Sequence, residues 1–199
     1  MFSLKSVFNK RFLATAFLVV GIFFAGWMST QASIIIVDDP TGDDVDNGLC
    51  SIVEAMQNAG LDNQSGSVDC TAGSGSDDVI SIQTDITLTS AYTTDGDGIG
   101  YGVPSNMGGD ITINGNDFTI ERDSGAPQFR IFFFSANTDI EINNLTISGG
   151  DTDTGLGKGG GMYVTTLNSL ALNNVTFDSN TSVNGGALYV SIDSSPDLT

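Results

Sequence analysis

Three stretches of the chain alternate apolar and polar residues and align without gaps. They are Ile111-Thr-Ile-Asn-Gly-Asn-Asp-Phe-Thr-Ile120, Ile140-Glu-Ile-Asn-Asn-Leu-Thr-Ile-Ser-Gly149 and Leu170-Ala-Leu-Asn-Asn-Val-Thr-Phe-Asp-Ser179. The second and third share I/L-x-I/L-Asn-Asn-x-Thr-I/F, at offsets of 29 and then 30 residues; the first is looser, its second strand running one residue longer. Alternation puts one side of each strand inward and the other outward. Each stretch therefore reads as two short strands hinged on two polar residues. The first hinge position is Asn114, Asn143 or Asn173, and the second is Gly115, Asn144 or Asn174. Glycine and asparagine best tolerate the left-handed backbone that a sharp bend requires. Asparagines recurring once per coil can also hydrogen-bond along the axis as a ladder. A hairpin is the competing reading of Asn114-Gly115, but hairpins do not require a fixed spacing of this kind. The pattern predicts an all-β chain, a right-handed parallel β-helix. An antiparallel β-sandwich is the alternative.

Further strands fit the same scheme. Val79–Ile82 and Ile86–Leu88 form a first coil, and Arg130–Phe134 supplies a strand whose aromatics stack on their neighbours. Met162–Val164 and Leu188–Val190, each preceded by glycines, are equivalent strands 26 residues apart. Gly/Asp/Ser/Thr-rich stretches over 91–109, 121–127 and 149–158 read as loops thrown to one side. Ahead of the coils, Ser51 and Glu54 have capping-box spacing and open a helix of about two turns that Gly60 stops. Such a helix caps the open end of a solenoid; a helix packed on its side is the other reading.

Charge changes the picture. The chain holds 24 acidic and six basic residues and no histidine. Lys5, Lys10 and Arg11 precede the uncharged run Phe12–Met28, and Thr30-Gln31-Ala32 offers small residues before a cut ahead of Ser33. Residues 1–32 thus read as a secretory signal peptide, with an uncleaved membrane anchor as the alternative. From Asp38 on, three bases face 24 acids, a balance of −21. That surface repels nucleic acid and anionic lipid, so a membrane is met only through the export signal or a C-terminal anchor. The lack of histidine excludes Ser-His-Asp and Cys-His catalysis and His-ligated metals. Outside the cytoplasm Cys50 and Cys70, twenty residues apart, are expected to pair. Closing that loop contributes about 3 kcal/mol. Two separately buried thiols are the alternative.

Gly48-Leu-Cys50-Ser-Ile-Val-Glu-Ala55-Met-Gln-Asn-Ala59 resembles the "CSLREA" motif that opens secreted bacterial β-helix proteins, with Ile52 and Val53 departing from its leucine and arginine. The preceding strand and acidic stretch, and Cys70–Ile80 after it, also resemble that family. Phe177-Asp-Ser-Asn180 followed by Gly185-Gly186-Ala187-Leu188 is similar to the F-x-x-N and G-G-A-[ILV] repeats of polymorphic outer membrane proteins, and Gly160-Gly-Met162 is a looser copy. The resemblance covers about Ile34 to Val190 and implies a surface or secreted β-helix, sometimes an adhesin or autotransporter passenger. It implies no single activity. The organisation expected is a signal peptide over 1–32, an opening strand and capping helix over 33–78, and coils over 79–199.

Catalysis on such a scaffold means polysaccharide cleavage. Glycoside hydrolysis needs two carboxylates about 5–9.5 Å apart, one of them protonated. By spacing, Asp151 with Asp153 and Asp139 with Glu141 qualify, but pairs of this kind arise by chance among 24 acids. Lyases of this fold combine calcium with a base. Arg122, Arg130 and Lys158 remain, none beside an evident acidic cluster. Calcium finds hard oxygen ligands in Asp38, Asp39, Asp43, Asp44 and Asp46, yet Val45 breaks the EF-hand pattern, and Asp95-Gly-Asp97-Gly is shorter still. A solvated acidic loop is the plainer reading, with no cofactor required. Four Asn-x-Ser/Thr sites (Asn63, Asn144, Asn174, Asn180) are by-products of composition, two of them at hinges where glycans clash. The sequence therefore points to an exported adhesin-like or structural β-helix, a scaffold with no evident catalytic residues, that binds an extracellular ligand such as a glycan or cell surface. A polysaccharide lyase or hydrolase is the alternative. Ser195–Thr199 resembles the run-in to another strand, so further coils are expected beyond Thr199.

Overall fold

A computed structural model describes residues 32–75, 77–104, 108–135, 138–167, 169–191 and 197–198. The targeting segment expected over 1–32 lies, but for its last residue, outside the described residues. Alternation of the kind seen in Ile111-Thr-Ile produces strands that stack coil on coil. The largest sheet runs in the order β1 (Ile34–Val37), β2 (Asp77–Ile82), β6 (Asp110–Asn114), β9 (Asp139–Ser148), β12 (Ser169–Asp178) and β15 (Asp197–Leu198). β7 (Thr119–Arg122) joins it by pairing β3 (Ile86–Leu88) on one side and β9 on the other. A second sheet holds β4 (Thr93–Thr94), β5 (Gly100–Val103), β8 (Arg130–Phe134), β11 (Met162–Val164) and β14 (Leu188–Val190); β10 (Asp151–Thr152) and β13 (Thr181–Ser182) form a third. Every pairing is parallel except β4–β5. The chain is a parallel β-helix, and the antiparallel sandwich is set aside.

Register makes the core a set of columns. Ile35, Ile80, Ile113, Ile142 and Leu172 follow one another up one sheet, and Ile111, Ile140 and Leu170 form the neighbouring column. Val103, Phe132, Met162 and Leu188 do the same in the second sheet. Burial of these side chains is nearly complete through the middle coils and partial at Leu172, Val175, Phe177, Leu188 and Val190. Asp78 stands opposite Ile111, at the foot of the second column. It is buried and accepts from the backbone N–H groups of Ser33 and Ser74. Burial raises its carboxyl above the ordinary value despite those hydrogen bonds.

The bend between the two arms of each coil is where the structure departs from expectation. Asn144 and Asn174 are left-handed, with φ of 50° and 55°. In the first stretch the left-handed residues are Asn116 and Asp117, not Gly115. Asn114 pairs with Asn143 and Thr119 with Thr146, so this bend is two residues longer than its successors. Gly115 is required for another reason: a Cβ there would stand 2.4 Å from the Asn144 carbonyl oxygen. A close approach, rather than a left-handed backbone, fixes that glycine.

Helix α1 (Ile52–Leu61) closes the first coil. Ser51 accepts from Glu54 N–H at 3.2 Å while Glu54 accepts from Ser51 N–H at 2.9 Å, a complete capping box. The helix passes through Gly60 and ends at Asp62, which is left-handed with φ 53°. The stop is therefore two residues later than the glycine suggests. Ile52, Val53, Ala55, Met56 and Ala59 enter the same core as the β1 and β2 columns, and the helix also meets β5 in the other sheet. It is an end cap. Cys50 and Cys70 are joined in a disulfide that ties its start to the run-up to β2. Among the described residues no helix is long and apolar enough to cross a membrane.

Candidate functional site

The outer face of the second sheet carries a file of rings. Tyr101, Phe133, Tyr163 and Tyr189 follow one another with centroid separations of 5.3, 5.4 and 5.6 Å, and the exposed Tyr92 extends the file beyond Tyr101 at 6.3 Å. Phe133, Tyr163 and Tyr189 align because their strands are in register. Arg130 lies beneath, its guanidinium 5.6 Å from the Phe133 ring and 5.0 Å from the Tyr163 ring. It forms an ion pair with Asp95, both side chains almost wholly buried (1% and 2% exposed), and donates to the Lys158 carbonyl at 3.2 Å. Asp95 also accepts from the N–H groups of Asp97 and Ile99, which folds the β4–β5 loop over the rings. Above that, Lys158 donates to Asp97 at 3.1 Å and sits 5.3 Å over Tyr163. The Asp97 hydrogen bond raises its ammonium above the ordinary lysine value. A groove of about 260 Å³ remains, lined by Asp95, Gly96, Asp97, Phe133, Tyr163 and Thr165. Burial pushes the Tyr101 hydroxyl up as well.

In the sequence none of the three late cations stands beside an evident acidic cluster. The fold supplies an acidic partner to each: Asp95 for Arg130, Asp97 for Lys158, and Asp151 for Arg122 at 3.8 Å. The acids lie 29 to 61 residues away in the chain, which spacing along one element does not reveal.

The outer face of the largest sheet is acidic. Asp77, Asp110, Asp139 and Glu141 line a groove of about 310 Å³ with Thr112 and Ser169. Asp110 accepts from Asp139 N–H at 2.8 Å, so one carboxylate of the row holds the backbone of the next coil. Asp151 and Asp153 do not converge on a reacting atom, since Asp151 accepts from Asp153 N–H in a local turn. Burial alone would raise the Asp151 carboxyl, but hydrogen bonds from Asp153, Gln128 and Thr181, with Arg122 nearby, outweigh it and hold it below the ordinary value. It stays ionised and does not suit a general acid. Asp78, the carboxyl that burial raises, sits at the capped end away from both pairs.

Residues 76–184 match the family of pectate lyase-like adhesive domains, just over half of the chain. The chain belongs to that family. No curated protein and no solved structure gives a significant match. The matched segment contains the acidic groove, Phe133 and Tyr163 of the ring file, and the F-x-x-N unit, and it ends just before Gly185. Asn180 of the F-x-x-N unit reaches into the preceding coil, donating to the Ile147 carbonyl at 2.8 Å and accepting from Gly150 N–H at 2.9 Å. Phe177 packs partly buried against the core. In the glycine unit, Gly186 and Ala187 carbonyls accept from Gly161 and Met162, so one G-G-A turn docks on its looser copy in the coil before. Gly185 is left-handed, with φ 60°. The hinge asparagines form the ladder: Asn143 donates to Asn114 at 3.1 Å, Asn173 to Asn143 at 2.9 Å and Asn174 to Asn144 at 3.0 Å.

Of the calcium candidates, Asp46 is the one that joins a group of three carboxylates among the described residues. Asp46, Glu54 and Asp69 place oxygens within 4.8 Å of one another. Asp44 instead accepts from Gln57, Asp43 lies on an exposed turn through Thr41, and Asp39 is tied to Thr41 and Asn47. Burial would raise Asp39, but those hydrogen bonds hold it low. Ser67 donates to both Asp46 and Glu54. Three hard oxygens are the donor type calcium takes, though calcium asks for six to eight. Glu54 escaped notice as a partner because its capping role already explained it, and Asp69 because it follows the helix.

Proposed function

We propose that this chain is an exported adhesive module of a cell surface, and that it holds a neutral glycan in the groove beside Phe133 and Tyr163. Residues 1–32 are its export signal, 33–78 a CSLREA-like opening cap with its disulfide, and 79–199 the coils that display the binding face. Membership of an adhesive-domain family supports the general role. The single observation that carries the ligand class is the composition of the groove: ring edges, a half-exposed Asp97 and the Thr165 hydroxyl together. Rings and fixed polar groups in a shallow cleft suit a sugar's apolar face and hydroxyls. Arg130 and Lys158 already occupy the ring faces and acids that a cationic ligand would seek. The net charge of −18 repels an anionic one. A neutral, hydroxyl-rich ligand is what remains.

Sedimentation with insoluble mannan, β-glucan and chitin, against soluble polygalacturonate with and without calcium, tests this. Retention on a neutral polymer, weakened by Phe133→Ala and Asp97→Ala and accompanied by no new chain ends, is expected. Retention on none of them removes the proposal. Release of new reducing or unsaturated ends makes the protein a lyase or hydrolase instead.

A further inference from the structure

The described chain contains three Asn-Gly pairs: Asn47-Gly48, Asn114-Gly115 and Asn184-Gly185. Such a pair is chemically weak, because glycine offers no side chain to shield its backbone nitrogen. That nitrogen can lose its proton and attack the asparagine side-chain carbonyl carbon. A new C–N bond closes a five-membered imide, the side-chain nitrogen leaves as ammonia, and water reopens the ring to aspartate or isoaspartate. Two things block the step: a hydrogen bond that holds the glycine proton, and contacts that hold the asparagine side chain away.

Two of the three pairs are blocked in both ways. Gly48 N–H donates to the Asp69 carboxylate at 2.7 Å, while Asn47 donates to Asp39 at 2.7 Å and accepts from Leu49 N–H at 2.8 Å. Gly115 N–H donates to the Asn143 carbonyl at 2.7 Å, and Asn114 accepts from Asn143 in the ladder. The third differs. Asn184 and Gly185 are exposed, the Asn184 side chain makes one long contact to the Gly157 carbonyl at 3.4 Å, and Gly185 N–H has no partner among the described residues.

We infer that Asn184-Gly185 is a self-modification site, at which the chain slowly converts an amide into aspartate or isoaspartate without any enzyme. Its position gives the change a structural consequence. Asn184 bridges in parallel to Lys158: its N–H donates to the Gly157 carbonyl at 3.1 Å and its carbonyl accepts from Gly159 N–H at 2.9 Å. Isoaspartate routes the backbone through an extra methylene, which breaks this register. The aspartate product keeps the chain path but replaces the side-chain donor by a carboxylate facing the Gly157 carbonyl. The loop it releases carries Lys158, whose ammonium holds Asp97 across the ring file. Ageing of Asn184 therefore loosens the clasp over the rings, whatever ligand they serve.

The test is a time course of the full folded chain in mildly alkaline buffer, mapped by mass spectrometry with separation of the isoaspartyl peptide, beside the same course in strong denaturant. Holding the glycine proton on a carboxylate or carbonyl at 2.7 Å is worth on the order of 1.4 kcal/mol or more, so Asn184 should convert about tenfold faster than Asn47 and Asn114 when folded. In denaturant the three rates should converge. Asn184→Gln, exposed and therefore harmless to folding, should remove the fast phase. In the converted fraction, hydrogen exchange at Gly159 should accelerate. Equal folded rates, conversion of Asn47 or Asn114 first, or the same ratio persisting in denaturant would overturn the inference. Unchanged exchange at Gly159 would overturn its consequence for the loop.

Discussion

The hinge corner and the ring face solve one problem with different chemistry. Both must hold successive coils in register. At the corner this is done by neutral amides, Asn114 to Asn143 to Asn173 and Asn144 to Asn174, each bonding its own equivalent one coil away. On the ring face tilted and edge-on aromatic contacts run from coil to coil, but their covering loop is held by ion pairs between unlike elements: Asp95 with Arg130, and Asp97 with Lys158. A repeated residue serves the corner because translation along the axis carries asparagine onto asparagine. A single buried charge cannot be repeated in that way. It needs a specific opposite partner, and that partner comes from the β4–β5 loop.

That contrast implies different sensitivities. The largest effect is expected at Arg130. Arg130→Met leaves Asp95 buried without its cation, which should cost about 3–5 kcal/mol in urea unfolding. The double change with Asp95→Asn, which keeps an acceptor for the loop N–H groups, should cost clearly less than the sum of the two singles. Additive losses would mean that the pair is not coupled, and the contrast with the corner would fall.

Effects at the corner should be smaller and conformational. Asn144→Val or Asn174→Val places a β-branched residue at φ near 50°, at a cost of about 1–2 kcal/mol. Thr146→Val and Thr176→Val, in register on the same strands, should change stability by less than about 0.5 kcal/mol. Asn144→Gly separates the two roles of asparagine, since it keeps the bend and deletes the ladder; a loss near that of valine would give the ladder the credit. Gly115→Ala should cost about 1–3 kcal/mol by overpacking against the Asn144 carbonyl. Equilibrium unfolding of the six variants ranks them.

Next to Arg130 and the hinge asparagines, the outer ion pair should matter little. Lys158 and Asp97 are 28% and 34% exposed, so Lys158→Met should cost less than about 1 kcal/mol, and less still at high salt. The folded ammonium titrates above its ordinary 10.5. The contribution should therefore be complete below that value and vanish as pH climbs through the raised one. Comparing unfolding midpoints of wild type and variant from neutral to strongly alkaline pH checks the sign. A gap that widens with pH would contradict it.

What the sequence determined by itself is what repeats or is local. Alternation and 29–30-residue spacing required stacked parallel strands, because one repeated unit cannot bury its apolar side alone. Ser51 and Glu54 marked a helix start, because a capping box is closed within three residues. Asn144 and Asn174 announced their left-handed backbone through residue type. The first hinge misled because its two extra residues shift the left-handed pair to Asn116 and Asp117, a difference that only the pairing of Asn114 with Asn143 and Thr119 with Thr146 exposes. Tertiary structure alone decided the partners of Arg122, Arg130 and Lys158, the gathering of Asp46, Glu54 and Asp69, and which Asn-Gly pair stands unprotected. Each depends on loops whose composition, rich in Gly, Asp and Ser, suits many conformations equally. Only the packing of one coil on the next selects among them, by making a buried charge without its partner, or a Cβ against a carbonyl, too costly to keep.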